Sequence, residues 1–339
     1  MSATEETLAR LSEIPNVTAF ARAPLARYTR FGIGGPADVY AEAADETAFL
    51  RALETVRASG LLSVVIGGGT NLIVSDEGFR GVVLRYTASR IRADGCRVTA
   101  DAGAVLQDLV DFAVAHGLEG VETLAGIPGS VGAAVYGNAG AYGHSISERV
   151  AWVRCLDGQA ARVLSRAECD FRYRESVFKR RKNWLILSVE LDLTAADAAA
   201  LRKISTEILE LRNRKFPPTM KCAGSIFKNL LLADLPPRAA ARVPAAVVRE
   251  GKVPAAWFLE QVGAKGMRAG DIHVADYHAN LIYNARAGTA ADLRGLIEEL
   301  KLRVFSEFDL ELEEEVQYVG FPPAVAQDMA GVPMPYTST

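Results

Sequence analysis

Neither the four cysteines nor the four histidines of this 339-residue chain are spaced to hold a metal. Cys96, Cys155, Cys169 and Cys222 form no Cys-x-x-Cys pair and have no histidine at ligand spacing, which argues against a zinc site and a disulfide framework. No apolar run approaches the ~20 residues of a membrane span, and Glu5 and Glu6 stand where a secretory signal has a basic start. The formal net charge of −3 lacks the cationic excess of phosphate-tracking surfaces, so nucleic acid is not an expected partner. What remains is a reduced, cytoplasmic protein, long enough for two or three domains.

The common nucleotide and hydrolase motifs are also missing. Gly67-Gly-Gly-Thr-Asn71 leads into apolar Leu72-Ile-Val74 and not into a helix, so it is no dinucleotide fingerprint; no Gly-Lys-Ser/Thr marks a Walker loop, and no Gly-x-Ser-x-Gly marks a nucleophile elbow. Two glycine runs are present instead. The strand Ser63-Val-Val-Ile66 delivers the first, Gly67 to Asp76, and the second spans Gly126 to Gly143 with six glycines and no charged residue. Ile127, Val131, Ala133, Ala134 and Val135 interleave it, unlike the polar composition of a plain surface loop. Glycine accepts positive φ and carries no Cβ, so main-chain amides can close on an anion. Two such loops are expected to hold a diphosphate cofactor.

In chain order, residues 1–27 read as a helical leader and a loop, and Tyr28 to Ala37 turns into a strand at Asp38-Val-Tyr-Ala41. Asp45 caps a helix with Phe49, Leu50, Leu53 and Val56 at helical spacing, ended by Gly60. Strands follow at 82–86 and 97–100, then a helix with Leu106, Leu109, Val110 and Ala113 on one face. After the long glycine run, strands are expected at 151–156, 161–164 and 184–193. The last alternates Leu185, Leu187, Val189, Leu191 and Leu193 as a half-buried antiparallel strand does, so the region is α+β and not doubly wound. Thr194 to Asp197 reads as a capping box for a helix bearing Leu201, Ile204, Ile208 and Leu211, with a domain boundary at about Thr194. A helix over 290–308 precedes a strand over 310–319, and the Pro-rich tail over 321–339 is expected to be disordered.

Three segments offer chemistry. Arg174, framed by Tyr173 and Ser176, suits planar recognition of a carboxylate, whereas the run Lys179 to Lys182 reads as a solvated basic turn. Ser225 lies in Lys221-Cys-Ala-Gly-Ser-Ile-Phe-Lys-Asn229, where a serine after glycine is usually a turn residue. Among Glu313, Glu314 and Glu315, strand alternation with Leu312 and Val316 turns Glu314 inward.

Taken in order, six pieces resemble the UDP-N-acetylenolpyruvoylglucosamine reductase family over about Tyr28 to Gly320: Thr29-Arg-Phe-Gly-Ile-Gly-Gly-Pro-Ala37, Ile66-Gly-Gly-Gly-Thr-Asn-Leu72, Gly126-Ile-Pro-Gly-Ser-Val-Gly132 with Asn138-Ala-Gly-Ala-Tyr-Gly143, Tyr173-Arg-Glu-Ser176, Ala223-Gly-Ser-Ile-Phe-Lys-Asn229, and Glu315-Val316. The resemblance implies an α+β chain: an FAD-binding domain of the vanillyl-alcohol-oxidase (PCMH) type over 28–194, in subdomains of about 28–81 and 82–194, and an α+β substrate domain over 195–320. It implies non-covalent FAD held by Gly67, Gly68, Gly69, Thr70, Asn71 and Leu72, and by Gly126, Pro128, Gly129, Ser130, Gly132, Ala133, Asn138 and Gly140. Arg174, Ser225 and Glu315 match the family's active-site arginine, proton donor and carboxylate, which overrides the alternation argument for Glu314. Tyr173, Lys215 and Asn229 match substrate-binding positions.

The implied reaction is ping-pong. NADPH gives hydride to flavin N5 and leaves; the enolpyruvyl UDP-sugar then takes hydride at its β-carbon and a proton from Ser225 at its α-carbon. No metal is implied, and a monomer is expected. The chain lacks the Tyr-Gly-Asp-Leu loop of one family branch, so it resembles the shorter, second type, and it carries an Ala- and Pro-rich insertion over 231–250. The rival readings are a flavin oxidase of the same fold, tethered through a residue such as His144, and a non-catalytic nucleotide-binding protein.

Overall fold

The computed structural model describes residues 1–158 and 160–322. Its first sheet has the order Val17–Pro24, Pro36–Ala43, Phe79–Tyr86, Ser63–Ile66, antiparallel in the first pairing and parallel in the other two. The helix Glu46–Ala58 lays Phe49, Ala52, Leu53 and Val56 on it, and Asp45 caps that helix by accepting from Ala48 N at 2.8 Å. The leader is only partly as expected. Ala3–Ser12 is helical, but the loop before Tyr28 is a strand, Val17–Pro24, in register with Pro36–Ala43. It is an edge strand, largely exposed and with φ +49° at Arg22, so no burial alternation marks it in the sequence.

The second sheet is wholly antiparallel, in the order Ala161–Ser165, Val150–Leu156, Leu185–Asp192, Arg97–Asp101, Ile91–Asp94. Leu187, Val189 and Leu191 are fully buried, as the alternation predicts. The helix after Thr194 departs from expectation. It spans Ala198–Lys215 with Asp197 as its cap, because Thr194–Ala195 is occupied in pairing with Leu118–Glu119. Leu201 and Ile208 join the core of this second unit, while Ile204 and Leu211 face solvent. The helix therefore packs backward onto the cofactor half.

The third unit is an antiparallel sheet in the order Lys221–Ser225, His278–Asn284, Ile272–Ala275, Arg268–Ala269, covered by Ala255–Gln261 and Ala290–Phe308. The long helix buries Leu293, Leu296, Ile297, Leu300 and Val304 as its spacing predicts. The insertion leaves the unit between the paired strands Leu230–Leu231 and Lys252–Val253 and anchors itself through buried Leu235 and Ala239. The strand expected over 310–319 is regular only at Gln317–Val319. That segment pairs in parallel with Leu72–Val74 of the first unit, so its partner is 245 residues away from Gln317 (317 − 72) and cannot be seen by local periodicity. The expected tail lies outside the described residues from 323 onward. No helix among the described residues is long and apolar enough to cross a membrane.

Asp76 ties the first unit to the third. Its two carboxylate oxygens accept from Ala290 N at 2.8 Å and Ala291 N at 3.0 Å, capping the long helix from another part of the chain. Asp76→Ala is expected to cost about 1–2 kcal/mol, the usual weight of a helix cap. Chemical denaturation would show a lowered midpoint, and an unchanged midpoint would contradict this capping role.

Candidate active site

The two glycine runs meet. Thr70 Oγ1 donates to Pro128 O at 3.2 Å, and a Cβ built on Gly68 would stand 3.4 Å from Gly129 Cα. Gly69 has φ +66° and would place a Cβ 1.7 Å from Tyr28 O; Gly129 has φ +123° and would place one 2.9 Å from Thr70 Oγ1. No side chain fits either position. Within this junction the amides of Gly68, Gly69, Thr70, Asn71, Gly129 and Ser130 have no acceptor among the described residues. A row of unpaired main-chain donors, kept open by absent Cβ atoms, fits a diphosphate.

The rest of the second run does other work. It contains a short helix, Val131–Tyr136, where a continuous loop is expected, and Ser130 caps it by accepting from Ala133 N. Val131 N and Gly132 N are bound by Ala104 O and Ala102 O, and Gly126 packs on Arg212, so these positions shape the loop. Asn138 is buried, with its side chain donating to Arg172 O at 2.8 Å and accepting from Ser147 N. Its carbonyl and that of Gly140 accept from Arg174 Nη1 at 3.4 Å and Nη2 at 2.8 Å. Asn138 and Gly140, expected at the cofactor, thus orient the arginine.

Arg174 sits at the tip of a tight hairpin in which Arg172 and Glu175 exchange both backbone hydrogen bonds, and it adopts φ +54°. A non-glycine residue held left-handed is strained, and such strain collects at sites where one side-chain direction matters. Arg174 Nε lies 3.0 Å from Glu315 Oε1. Of the five guanidinium N–H donors, Glu315, Asn138 and Gly140 take three, which leaves two for a ligand.

The three adjacent glutamates have three fates. Glu313 pairs with Lys228, and Glu314 is almost fully buried between Lys301 and the Tyr318 hydroxyl. Alternation therefore identifies the inward residue, but that residue is a structural anchor. Glu315 turns to Arg174 instead, its backbone held on both sides: its N donates to Ile226 O at 2.7 Å and its O accepts from Asn71 Nδ2 at 2.8 Å. Ile226 directly follows Ser225, whose hydroxyl has no hydrogen-bond partner among the described residues. The structure thus brings Arg174, Glu315 and the Ser225 segment to one place.

Tyr173 stands beside them, its ring 5.3 Å from the Arg174 guanidinium carbon and 4.5 Å from the Lys252 ammonium. Its hydroxyl reaches Asn229, and burial pushes its pKa up. Lys215 ends the helix Ala198–Lys215, with burial, Arg212 and Arg249 lowering its pKa. Two further residues escape the sequence reading. Lys179, in the run expected to be solvated, donates to Arg174 O at 2.8 Å; burial and Lys228 lower its pKa. His278 accepts from Asn280 N through Nδ1, has no partner for its buried Nε2, and is pushed down to about 4 by burial and by Lys215 and Lys265. A lone histidine in a strand gives no sequence signal. Lys179 could have been noticed as a lysine one helical turn from Glu175. His144, the one candidate for a covalent tether, has its ring nitrogen on Glu148 at 2.9 Å.

Comparison with known proteins decides the family. Residues 37–164 match the FAD binding domain model, and residues 216–319 match the model of the UDP-N-acetylenolpyruvoylglucosamine reductase C-terminal domain. A UDP-N-acetylenolpyruvoylglucosamine reductase from Solibacter usitatus is 65% identical over 92% of this chain and 100% of its own length. The chain belongs to the UDP-N-acetylenolpyruvoylglucosamine reductase family. Another member, from Heliobacterium modesticaldum, is 37% identical over 88% of this chain and 89% of its own length. The crystal structure of the Thermus caldophilus reductase (MurB) superposes with a TM-score of 0.69 at 29% identity, covering 89% of this chain and 98% of the other. As a reductase of this family the chain is an FAD-dependent oxidoreductase.

Gly129→Val is expected to strip flavin more than it unfolds the chain, because a branched side chain forbids φ +123° and collides with Thr70. Flavin per protein, read from absorbance, should fall below about one-tenth while the far-ultraviolet circular dichroism persists. A variant as yellow as the parent would contradict the cradle.

Proposed function

We propose that this reductase converts the enolpyruvyl ether of UDP-N-acetylglucosamine to UDP-N-acetylmuramate for peptidoglycan precursor synthesis in the cytoplasm. NADPH is the hydride donor, FAD is bound non-covalently, and the two nucleotides use one cleft in turn. FAD, when bound, supplies the hydride chemistry that links the donor to the β-carbon of the substrate. The main support is the meeting of Arg174, Glu315 and the Ser225 segment, with two guanidinium donors free.

A carboxylate is the ligand that two parallel N–H donors recognise best, and the enolpyruvyl group carries one. Once hydride reaches the β-carbon, negative charge spreads over the α-carbon and this carboxylate. Arg174, already oriented by two carbonyls and Glu315, stabilises that charge without rearrangement. Glu315 holds the guanidinium from the other side, so that its remaining donors face the substrate carboxylate. Ser225 delivers the proton to the α-carbon and sets the new stereocentre. Serine is a weak acid, and the positive charges of Lys228, three residues on, and of Lys179 lower the cost of its alkoxide.

Ser225→Ala should separate the half-reactions. Flavin reduction by NADPH needs no proton on carbon and should proceed at nearly the parent rate, whereas reoxidation by the enolpyruvyl substrate should slow by about 10⁴. Ser225→Cys should restore part of the loss. Equal slowing of both half-reactions in stopped-flow traces would remove Ser225 from the role of proton donor.

A further inference from the structure

The hairpin that carries Arg174 is gripped by the short helix that follows it, Val177–Arg180. Ser176 precedes that helix fully buried, its hydroxyl donating to Tyr136 O at 2.7 Å, so the helix is fixed to the second glycine run. Its last two residues do different work. Arg180 is exposed and pairs with Asp170 at 2.6 Å and with Glu175 at 3.8 Å, which ties down the outer side of the hairpin. Lys179 turns back, and its ammonium donates to the carbonyl of Arg174 at 2.8 Å.

A lysine is an unusual partner for that carbonyl. A half-buried ammonium ordinarily pairs with a carboxylate, because a neutral acceptor offsets less of its desolvation. Among the described residues Lys179 has no ion pair, and its one side-chain hydrogen bond is the one to Arg174 O. Glu175, Glu315 and Glu313 favour its charge from farther off, but burial and Lys228 outweigh them and lower its pKa. The cation is therefore held at a cost, and at a peptide that needs holding. Arg174 adopts φ +54°, which a long side chain rarely takes unless its surroundings enforce it. With its carbonyl released, residue 174 could relax out of the left-handed region, and its guanidinium would turn away from Glu315, Asn138 and Gly140.

We infer that Lys179 is a positioning residue for reduction of the enolpyruvyl substrate: it clamps the Arg174 carbonyl and so keeps the guanidinium aimed at the substrate carboxylate. The assignment deepens the proposed function and rests on it. It is distinct from a charge acting at Ser225, because it works through the direction of Arg174. Flavin reduction by NADPH, which presents no such carboxylate, does not depend on it.

Stopped-flow absorbance of the flavin-loaded enzyme reads the two half-reactions apart. Lys179→Met should leave flavin content and the rate of reduction by NADPH unchanged. It should slow reoxidation by the enolpyruvyl UDP-sugar about ten- to hundredfold, the weight of one hydrogen bond from a charged donor. In the steady state kcat should fall by more than KM rises, since a misdirected guanidinium is missed most when charge develops. Lys179→Arg, which keeps a cationic donor, should recover most of the loss. The deciding comparison is a double-mutant cycle. On an Arg174→Ala background, Lys179→Met should slow reoxidation by no more than about twofold, because no guanidinium is left to aim. A full loss on that background would leave Lys179 only its charge at Ser225 and would overturn the inference, as would equal slowing of both half-reactions or a parent-like Lys179→Met. Lys179→Gln carries the same cycle should the Met variant lose flavin, and loss of flavin in both variants would make Lys179 a residue of the fold alone and overturn the inference too. A parent enzyme whose reduced flavin the enolpyruvyl substrate fails to reoxidise would remove the proposed function itself, and the inference with it.

Discussion

Everything at the candidate active site hangs on the backbone of Glu315. Its amide is bound to Ile226 in the third unit, its carbonyl to the Asn71 side chain in the first, and its carboxylate to Arg174 in the second. Asn71 adds a second tie by accepting from Gln317 N at 2.9 Å, where the parallel ladder with Leu72–Val74 begins. One residue thus registers three units against one another. Because Asn71 also belongs to the first glycine run, the glycine junction and the Glu315 carboxylate are positioned by the same residue.

The charge arrangement follows from that registry. Arg174 and Glu315 have side chains 22% and 28% exposed, so their pair is screened far less than a surface pair yet remains reachable by ligand. Arg174 is strained in its backbone and held by two carbonyls, so its direction is set before any substrate arrives. Glu313 and Glu314 are each committed to a lysine, and the third glutamate is left to face Arg174.

Local periodicity made the helices over 46–58, 106–115 and 290–308 legible in the sequence, along with the alternating strand at 185–192. It missed the edge strand Val17–Pro24, which buries too little to leave a pattern, and it assigned the helix Ala198–Lys215 forward when it packs backward. Sequence distance hid the pairing of Gln317–Val319 with Leu72–Val74. In the site, composition exposed the glycine junction, but unpaired amides separate Gly68 to Asn71, Gly129 and Ser130 from the scaffold positions Gly132 and Ala133. Alternation found the buried Glu314 and could not find Glu315, whose placement depends on two bonds from distant segments. The insertion over 231–250 had no physical reading in the sequence, and what anchors it, buried Leu235 and Ala239, is apparent only in the fold.

Central to the proposed function is one site in which a nicotinamide nucleotide loads hydride and an enolpyruvyl sugar nucleotide removes it. Its most direct test is the absorbance of the purified yellow protein under anaerobic conditions. Adding NADPH should bleach the flavin band, and adding the enolpyruvyl UDP-sugar without oxygen should restore it within the time of a single turnover. A band that returns only when air is admitted would contradict the account.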